Sequence, residues 1–314
     1  MNTKNTSTLF INIKKENIQQ RIDNFLLKKF KKLAKNTIYK KLRTGQIRIN
    51  KQRIKPQYKL QLGDYIVIPS IKNFYKKIKK IELSQKLKSL LINSILYEDS
   101  DLLILNKPPG MAVHSGSGIN SGIIEYFRIL RAKEIELDLV HRLDKGTSGV
   151  LILAKKRSIL CELHKQLRKK EIQKKYLALV HGCWPKDVKH ISAPLLKTRS
   201  YKNHIVTINN IHGKFSKTYF KIKKKYTNNT LMLITPVTGR THQIRVHTQY
   251  INHPIVLDEK YGKIELDQKV KNNCSTKRLL LHANSITFFH PRRKKKLKVT
   301  APIDKEFERI LNKL

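Results

Sequence analysis

Apolar residues recur along the chain in two rhythms, one near 3.6 residues and one of two, and the changes of rhythm mark the elements. From Gln19 onward, Ile22, Phe25, Leu26, Phe30 and Leu33 fall at helical spacing, with lysines filling the outer face. Asn36 or Thr37 then opens a second helix that turns Ile38, Tyr39 and Leu42 inward and ends at Gly45. The period drops to two at Ile47 and Ile49, set among Gln46, Arg48 and Asn50, which predicts a half-buried strand. A second strand, Tyr65 to Ile68, follows Gly63-Asp64 and stops at Pro69. Residues 1–18 are polar and basic and predict a flexible arm.

Beyond this small unit, residues 71 to 92 are lysine-rich with scattered apolar positions. They read as a linker carrying a helix from Ser84 to Ile92, so the domains are placed at 19–82 and 94–314 with 83–93 between them. Leu102 to Leu105 predicts a buried strand, closed by Asn106-Lys107-Pro108-Pro109-Gly110. The uninterrupted run Val150-Leu151-Ile152-Leu153-Ala154 predicts another. A helix follows over Ser158–Lys170 with Leu160, Leu163, His164 and Leu167 on one face; His164 reads as helix packing or surface rather than a ligand. Lys174-Lys175-Tyr176 opens the strand Leu177–Val180. Gln243 to His247 alternates and fits a strand or a short helix, and a last helix lies near Glu306–Leu311.

Composition narrows the class. The chain has 314 residues, 39% of them apolar, enough for one large domain or one large and one small. Its apolar runs fall far short of the roughly 20 residues a bilayer span needs, and its start lacks the apolar segment of a secretion signal. Cys161, Cys183 and Cys274 are few and widely spaced, which points to a reducing cytoplasm and to no metal framework. Lys and Arg number 67 against 22 acids, a net charge of +45, and such an excess favours a polyanionic partner. The same chain is heavy in Lys, Asn and Ile, so its sign carries more information than its size.

Against that background, the loop His141-Arg142-Leu143-Asp144-Lys145-Gly146-Thr147-Ser148-Gly149 stands out. Asp144 is its only acid, between Arg142 and Lys145, on a turn where Gly146 and Gly149 allow φ > 0 or close backbone approach and Thr147 and Ser148 can bond to nearby amides. From geometry alone it reads equally as a turn-capping aspartate or as a site. Val113-His114-Ser115-Gly116-Ser117-Gly118 lacks the Gly-Lys-Ser/Thr ending of a phosphate loop. His242 and His247 lack the glutamate of a His-Glu-x-x-His zinc site, and Ser148 lacks the Gly-x-Ser-x-Gly elbow of a hydrolase.

The loop resembles the catalytic motif of the ribosomal large subunit pseudouridine synthases, and the likeness extends over nearly the whole chain. It implies an α+β fold: a small S4-type RNA-binding domain, then a catalytic domain with a mixed, largely antiparallel sheet and flanking helices. By the same resemblance Asp144 is the catalytic aspartate, Tyr176 stacks on the target base, and Arg245 in His-Gln-Ile-Arg pairs with the aspartate, Arg240 being the fallback. Leu280 and Leu281 would line the uracil pocket. Arg142 and His141 would take part in base flipping or RNA contact, and Lys40, Lys41, Arg43 and Arg48 would form the basic face of the S4-like module. The implied reaction is isomerisation of several uridines in 23S ribosomal RNA of a large-subunit precursor, by a cytoplasmic monomer with no metal, cofactor or membrane partner. A synthase acting on another structured RNA such as tRNA, and a non-catalytic ribosome assembly factor, are the alternatives.

Overall fold

The computed structural model describes residues 8–30, 33, 35–69, 83–115, 121–131, 137–199, 204–274, 276 and 278–314. The chain divides into two units, Met1–Glu82 and Leu83–Leu314.

The first unit runs β1 (Leu9–Asn12), α1 (Ile22–Lys29), α2 (Lys35–Arg43), β2 (Arg48–Ile49) and β3 (Tyr65–Ile68). β3 lies between β1 and β2 and is antiparallel to both. The helical spacing buries what it was expected to bury: Ile22, Leu26, Ile38 and Leu42 lose all exposure against Ile49, Leu60 and Ile66. Buried Asp23 accepts from Arg21, from the Tyr39 hydroxyl and from the Asn24 N–H, so its charge is fully met. Asn50 and Lys51 both adopt left-handed backbone, φ 50° and 66°, while Ile49 and Gln52 exchange backbone hydrogen bonds. This is a two-residue hairpin turn with lysine where glycine would sit without strain. Asn50 holds it by donating to Asp64 and accepting the Tyr65 N–H.

One expectation for this unit is corrected. Within the supposed arm of residues 1–18, Leu9–Asn12 is a strand whose register runs Leu9 opposite Ile68 to Asn12 opposite Tyr65. The alternation Phe10 outward, Ile11 inward supplies β3 with a partner and covers the core. Residues 1–7 of the arm, the lysine-rich stretch 70–82 and positions 116–118 of the glycine-rich piece lie outside the described residues.

The second unit begins with α3 (Gln85–Asn93), β4 (Ile95–Glu98), β5 (Leu102–Lys107), α4 (Ile123–Leu130), β6 (Asp138–Leu139), β7 (Ser148–Ala154) and α5 (Arg157–Arg168). It continues through β8 (Gln173–His181), β9 (His190–Ser192), β10 (Leu195–Arg199), β11 (His204–Ile208), β12 (Lys217–Lys225) and β13 (Asn229–Pro236). α6 (Gln243–Tyr250), α7 (Ile264–Cys274), β14 (Leu281–Phe289), β15 (Lys296–Thr300) and α8 (Lys305–Asn312) complete it. The main sheet has the order β4-β5-β7-β14-β8-β13-β12-β9, with β6 on β7 and β15 on β14. Among the described residues only β7 and β14 pair in parallel, so the sheet is mixed and largely antiparallel.

β7 explains its own apolar run. Val150 and Ile152 face Leu160 and Leu163 of α5, while Leu151 and Leu153 face Ile123 and Phe127 of α4 and Leu91 of α3. A strand covered on both faces needs no polar alternation. The same packing corrects the linker at 83–93. α3 carries Leu91 into the core at 0% exposure, and Ser84 caps the helix by accepting the Leu87 N–H at 3.3 Å. The ambiguous stretch after Thr238 is resolved as α6. His164 packs as expected, its Nε2 3.1 Å from the Val140 carbonyl. No helix among the described residues is long and apolar enough to cross a membrane.

Candidate active site

The loop between β6 and β7 carries Asp144, and it is fastened from below by groups distant in sequence. Gly149 has φ +104°, and a Cβ there would lie 2.2 Å from the Ala283 carbonyl oxygen, so the parallel approach of β7 to β14 requires glycine. Lys107, fully buried at the end of β5, donates to the carbonyls of Pro108 (2.8 Å), Met111 (2.8 Å) and Lys145 (3.1 Å). Burial lowers its proton affinity, to about 7, while the nearby charge of Asp144 pulls the other way. Three carbonyl acceptors call for three N–H donors, which only the ammonium supplies. On the other side, Arg278 pairs with Asp304 and donates to Ser148 Oγ at 2.8 Å; Ser148 Oγ also lies 2.8 Å from His282 Nδ1. Burial lowers Arg278 to about 10 and His282 to about 4, so this histidine is neutral.

From above, α6 delivers Arg245. Its Nε and Nη2 form a fork on the two oxygens of Asp258, both at 2.7 Å, and Nη1 reaches Asp144 Oδ2 at 3.2 Å. The Asp258 side chain has 0% exposure and also accepts the N–H groups of Lys260 and Tyr261. Burial works against the Arg245 charge, but the hydrogen bonds and charges of Asp258 and then Asp144 outweigh it and raise the proton affinity. The guanidinium is therefore an oriented part shared by two carboxylates, one structural and one facing open space.

That space is a cavity of about 500 Å³, within the usual range of roughly 300–1,000 Å³ for small-ligand sites. Asp144, Tyr176, Arg245 and Leu281 line it, with Arg142 exposed at its wall. Burial and then the charge of Asp144 push the Tyr176 hydroxyl up, so the ring stays neutral. Arg240 also lines the cavity but turns Nε to the Phe215 carbonyl at 3.1 Å, which leaves Arg245 as the partner of Asp144.

One assignment is corrected. Leu280 does not reach the cavity; just before β14 it packs with Leu179, Leu231, Val256 and Phe307. His141 reaches the wall, but its Nε2 accepts the Ile152 N–H at 3.2 Å. Burial, with Lys174 beside it, lowers the ring to about 3. It is an uncharged tie between loop and strand at the cavity wall. Lys40, Lys41, Arg43 and Arg48 belong to the first unit, where Lys40, Arg43 and Arg48 are exposed and Lys41 half-buried.

Reading the sequence missed Lys107, Asp258, Tyr261 and Lys174. Asp258 follows Ile255-Val256-Leu257, and an acid ending an apolar run in a chain with 22 acids was the available signal. His247, weighed as a ligand and set aside, is buried among Ser216, Thr218 and the Ala193 carbonyl at 2.9–3.1 Å. Asp99, Asp101 and His290 bring ligand atoms within 4.8 Å of one another, but Lys156, Arg292 and Arg293 already face those carboxylates.

Comparison with known proteins now decides the family. Residues 101–250 match the sequence family described as RNA pseudouridylate synthase. The ribosomal large subunit pseudouridine synthase C of Buchnera aphidicola subsp. Baizongia pistaciae is 59% identical over 314 residues, all of both chains. The protein of that name from Escherichia coli K12 is 45% identical, over 100% of this chain and 99% of its own. This chain belongs to the RNA pseudouridine synthases. It is accordingly an isomerase, of the ribosomal large subunit pseudouridine synthase C group. The solved structure of human RNA pseudouridylate synthase domain containing 4 covers 73% of the chain and 95% of its own length. Its TM-score is 0.60 at 22% identity, a likeness of fold.

Proposed function

We propose that this chain converts uridines of 23S ribosomal RNA to pseudouridine, with Asp144 as the reactive group. One observation carries the reading: a carboxylate with 19% side-chain exposure faces a cavity of about 500 Å³ while a guanidinium anchored on a second, fully buried acid fixes its position. The names of the full-length relatives, which specify the ribosomal large subunit, support the choice of RNA.

The chemistry asks little beyond that arrangement. The N1–C1′ bond breaks with its electron pair going to N1, the uracil turns within the cavity, C5 bonds to C1′, the C5 proton leaves to a base and N1 takes up a proton. A carboxylate acting as nucleophile or base, with groups that retain the detached ring, is sufficient. The uridine first leaves its stack, which costs a few kcal/mol. Arg142, exposed and two residues from Asp144, takes the vacated place. Tyr176 stacks on the base, worth about 1–3 kcal/mol. The first unit, with its S4-like order of two helices and a small sheet, adds phosphate contacts through Lys40, Lys41, Arg43 and Arg48 that weaken with salt. The protein acts as a cytoplasmic monomer.

The test uses an rRNA transcript carrying tritium at uridine C5. Asp144→Asn is expected to reduce tritium release by at least about 10³-fold while RNA binding and the thermal transition stay near wild type. Near-normal release by that variant overturns the reading. Mapping pseudouridine in rRNA from cells with and without the gene then identifies the sites.

A further inference from the structure

The turn into α6 is made by His242 with φ 54° and ψ 18°, left-handed backbone that a histidine seldom adopts. Its side chain shows what holds it there. Nδ1 lies 2.7 Å from the Tyr261 hydroxyl oxygen, and that oxygen also accepts the Val206 N–H of β11 at 3.1 Å. With Val206 as donor, the phenolic proton has Nδ1 as its acceptor among the described residues. The opposite assignment would leave that proton without an acceptor among the described residues. Nδ1 therefore accepts, and the ring proton sits on Nε2.

Electrostatics agree. Nε2 lies 3.7 Å from Asp144 Oδ2, where an N–H is attracted and a bare lone pair would be repelled. Burial lowers the ring to about 4; Asp144 opposes this, while Arg245 and Lys260 add to it. A separation of 3.7 Å is too long for a hydrogen bond. Asp144 already has Arg245 as its donor. The structure thus holds an oriented, neutral N–H donor at the cavity wall, beside the carboxylate.

We propose that His242 is a catalytic residue whose Nε2–H donates to an oxygen of the target nucleotide flanking the glycosidic bond. This inference rests on Asp144 being the reactive carboxylate. Two oxygens have the required chemistry. Uracil O2 gains negative charge as N1 takes the electron pair of the breaking bond, and a fixed donor there favours the transition state. The ribose 2′-hydroxyl is the other. No proton leaves the imidazole in either case.

The experiment compares single-turnover rates on an rRNA fragment that the wild-type protein modifies, carrying uridine, 2-thiouridine or 2′-deoxyuridine at the target. His242→Asn retains a residue that tolerates left-handed backbone and keeps an acceptor toward Tyr261, while removing the group at Nε2. It is expected to slow the reaction about 10²-fold with RNA affinity unchanged. It should also lose its sensitivity to one of the two altered oxygens, which identifies the contact. Tyr261→Phe, which keeps the histidine but releases its tautomer, is expected to slow the reaction several-fold. A wild-type rate for His242→Asn overturns the inference, as does a slowed variant that stays as sensitive to both analogues as the parent. Either result, with Asp144→Asn inactive, removes the role of His242 alone; an active Asp144→Asn removes the role of the aspartate instead.

Discussion

The two units use positive charge in opposite ways. In the first, Lys40, Arg43 and Arg48 stand exposed on a small helix-and-sheet frame, and of the three Arg48 also donates to the Gly45 carbonyl at 2.8 Å. In the second, Lys107, Arg245 and Arg278 are withdrawn from water around one loop, each tied to several oxygens. In a chain of net charge +45 the informative cations are the few that are buried, because a buried charge persists only where its partners are built for it.

That contrast can be broken at its strongest point. Arg245→Lys replaces a fork with a single ammonium that cannot span Asp258 and Asp144 together, and turnover in the tritium assay is expected to fall about 10²–10³-fold. Lys107→Met leaves three carbonyls beneath the loop without a donor. It should destabilise the second unit by about 2–4 kcal/mol, read from its denaturant midpoint.

Mild acid separates the units further. His141, His242 and His282 are lowered to about 3, 4 and 4, chiefly by burial, whereas residues 1–82 contain no histidine. Between pH 6.5 and about 4 the unfolded second unit binds protons that its native form refuses, so its stability falls as pH falls through that window. Thermal scans at pH 7 and pH 5 should show its transition dropping. The histidine-free unit should hold, since its lowered acid, Asp23, loses its stabilising effect only below that range. Equal drops would remove the distinction.

The exposed cations should behave differently. Each of Lys40→Ala and Arg43→Ala should reduce the slope of log affinity against log salt by about one, with stability changed by less than about 0.5 kcal/mol. The smallest effect sharpens the turn: Lys51→Gly relieves a left-handed lysine and should stabilise the first unit by about 0.5–1 kcal/mol. Chemical denaturation of that unit would detect it.

Periodicity in the chain determined the helices of the first unit, the buried strand at Val150–Ala154 and the helix beside it, because backbone geometry and local amphipathicity act over a few residues. The motif around Asp144 and the arginine of His-Gln-Ile-Arg were legible by resemblance. Only the folded chain decided that Leu9–Asn12 joins a sheet, that Leu280 turns away from the cavity while Leu281 faces it, and that His141 is neutral. It also brought Arg245 to Asp144 across 101 positions, Lys107 to Lys145 across 38 and Arg278 to Ser148 across 130. Burial and the set of neighbours around a charged group depend on chain segments far apart in order. The same residue type therefore reads alike in sequence whether it ends as a solvated lysine or as the clamp beneath the Asp144 loop.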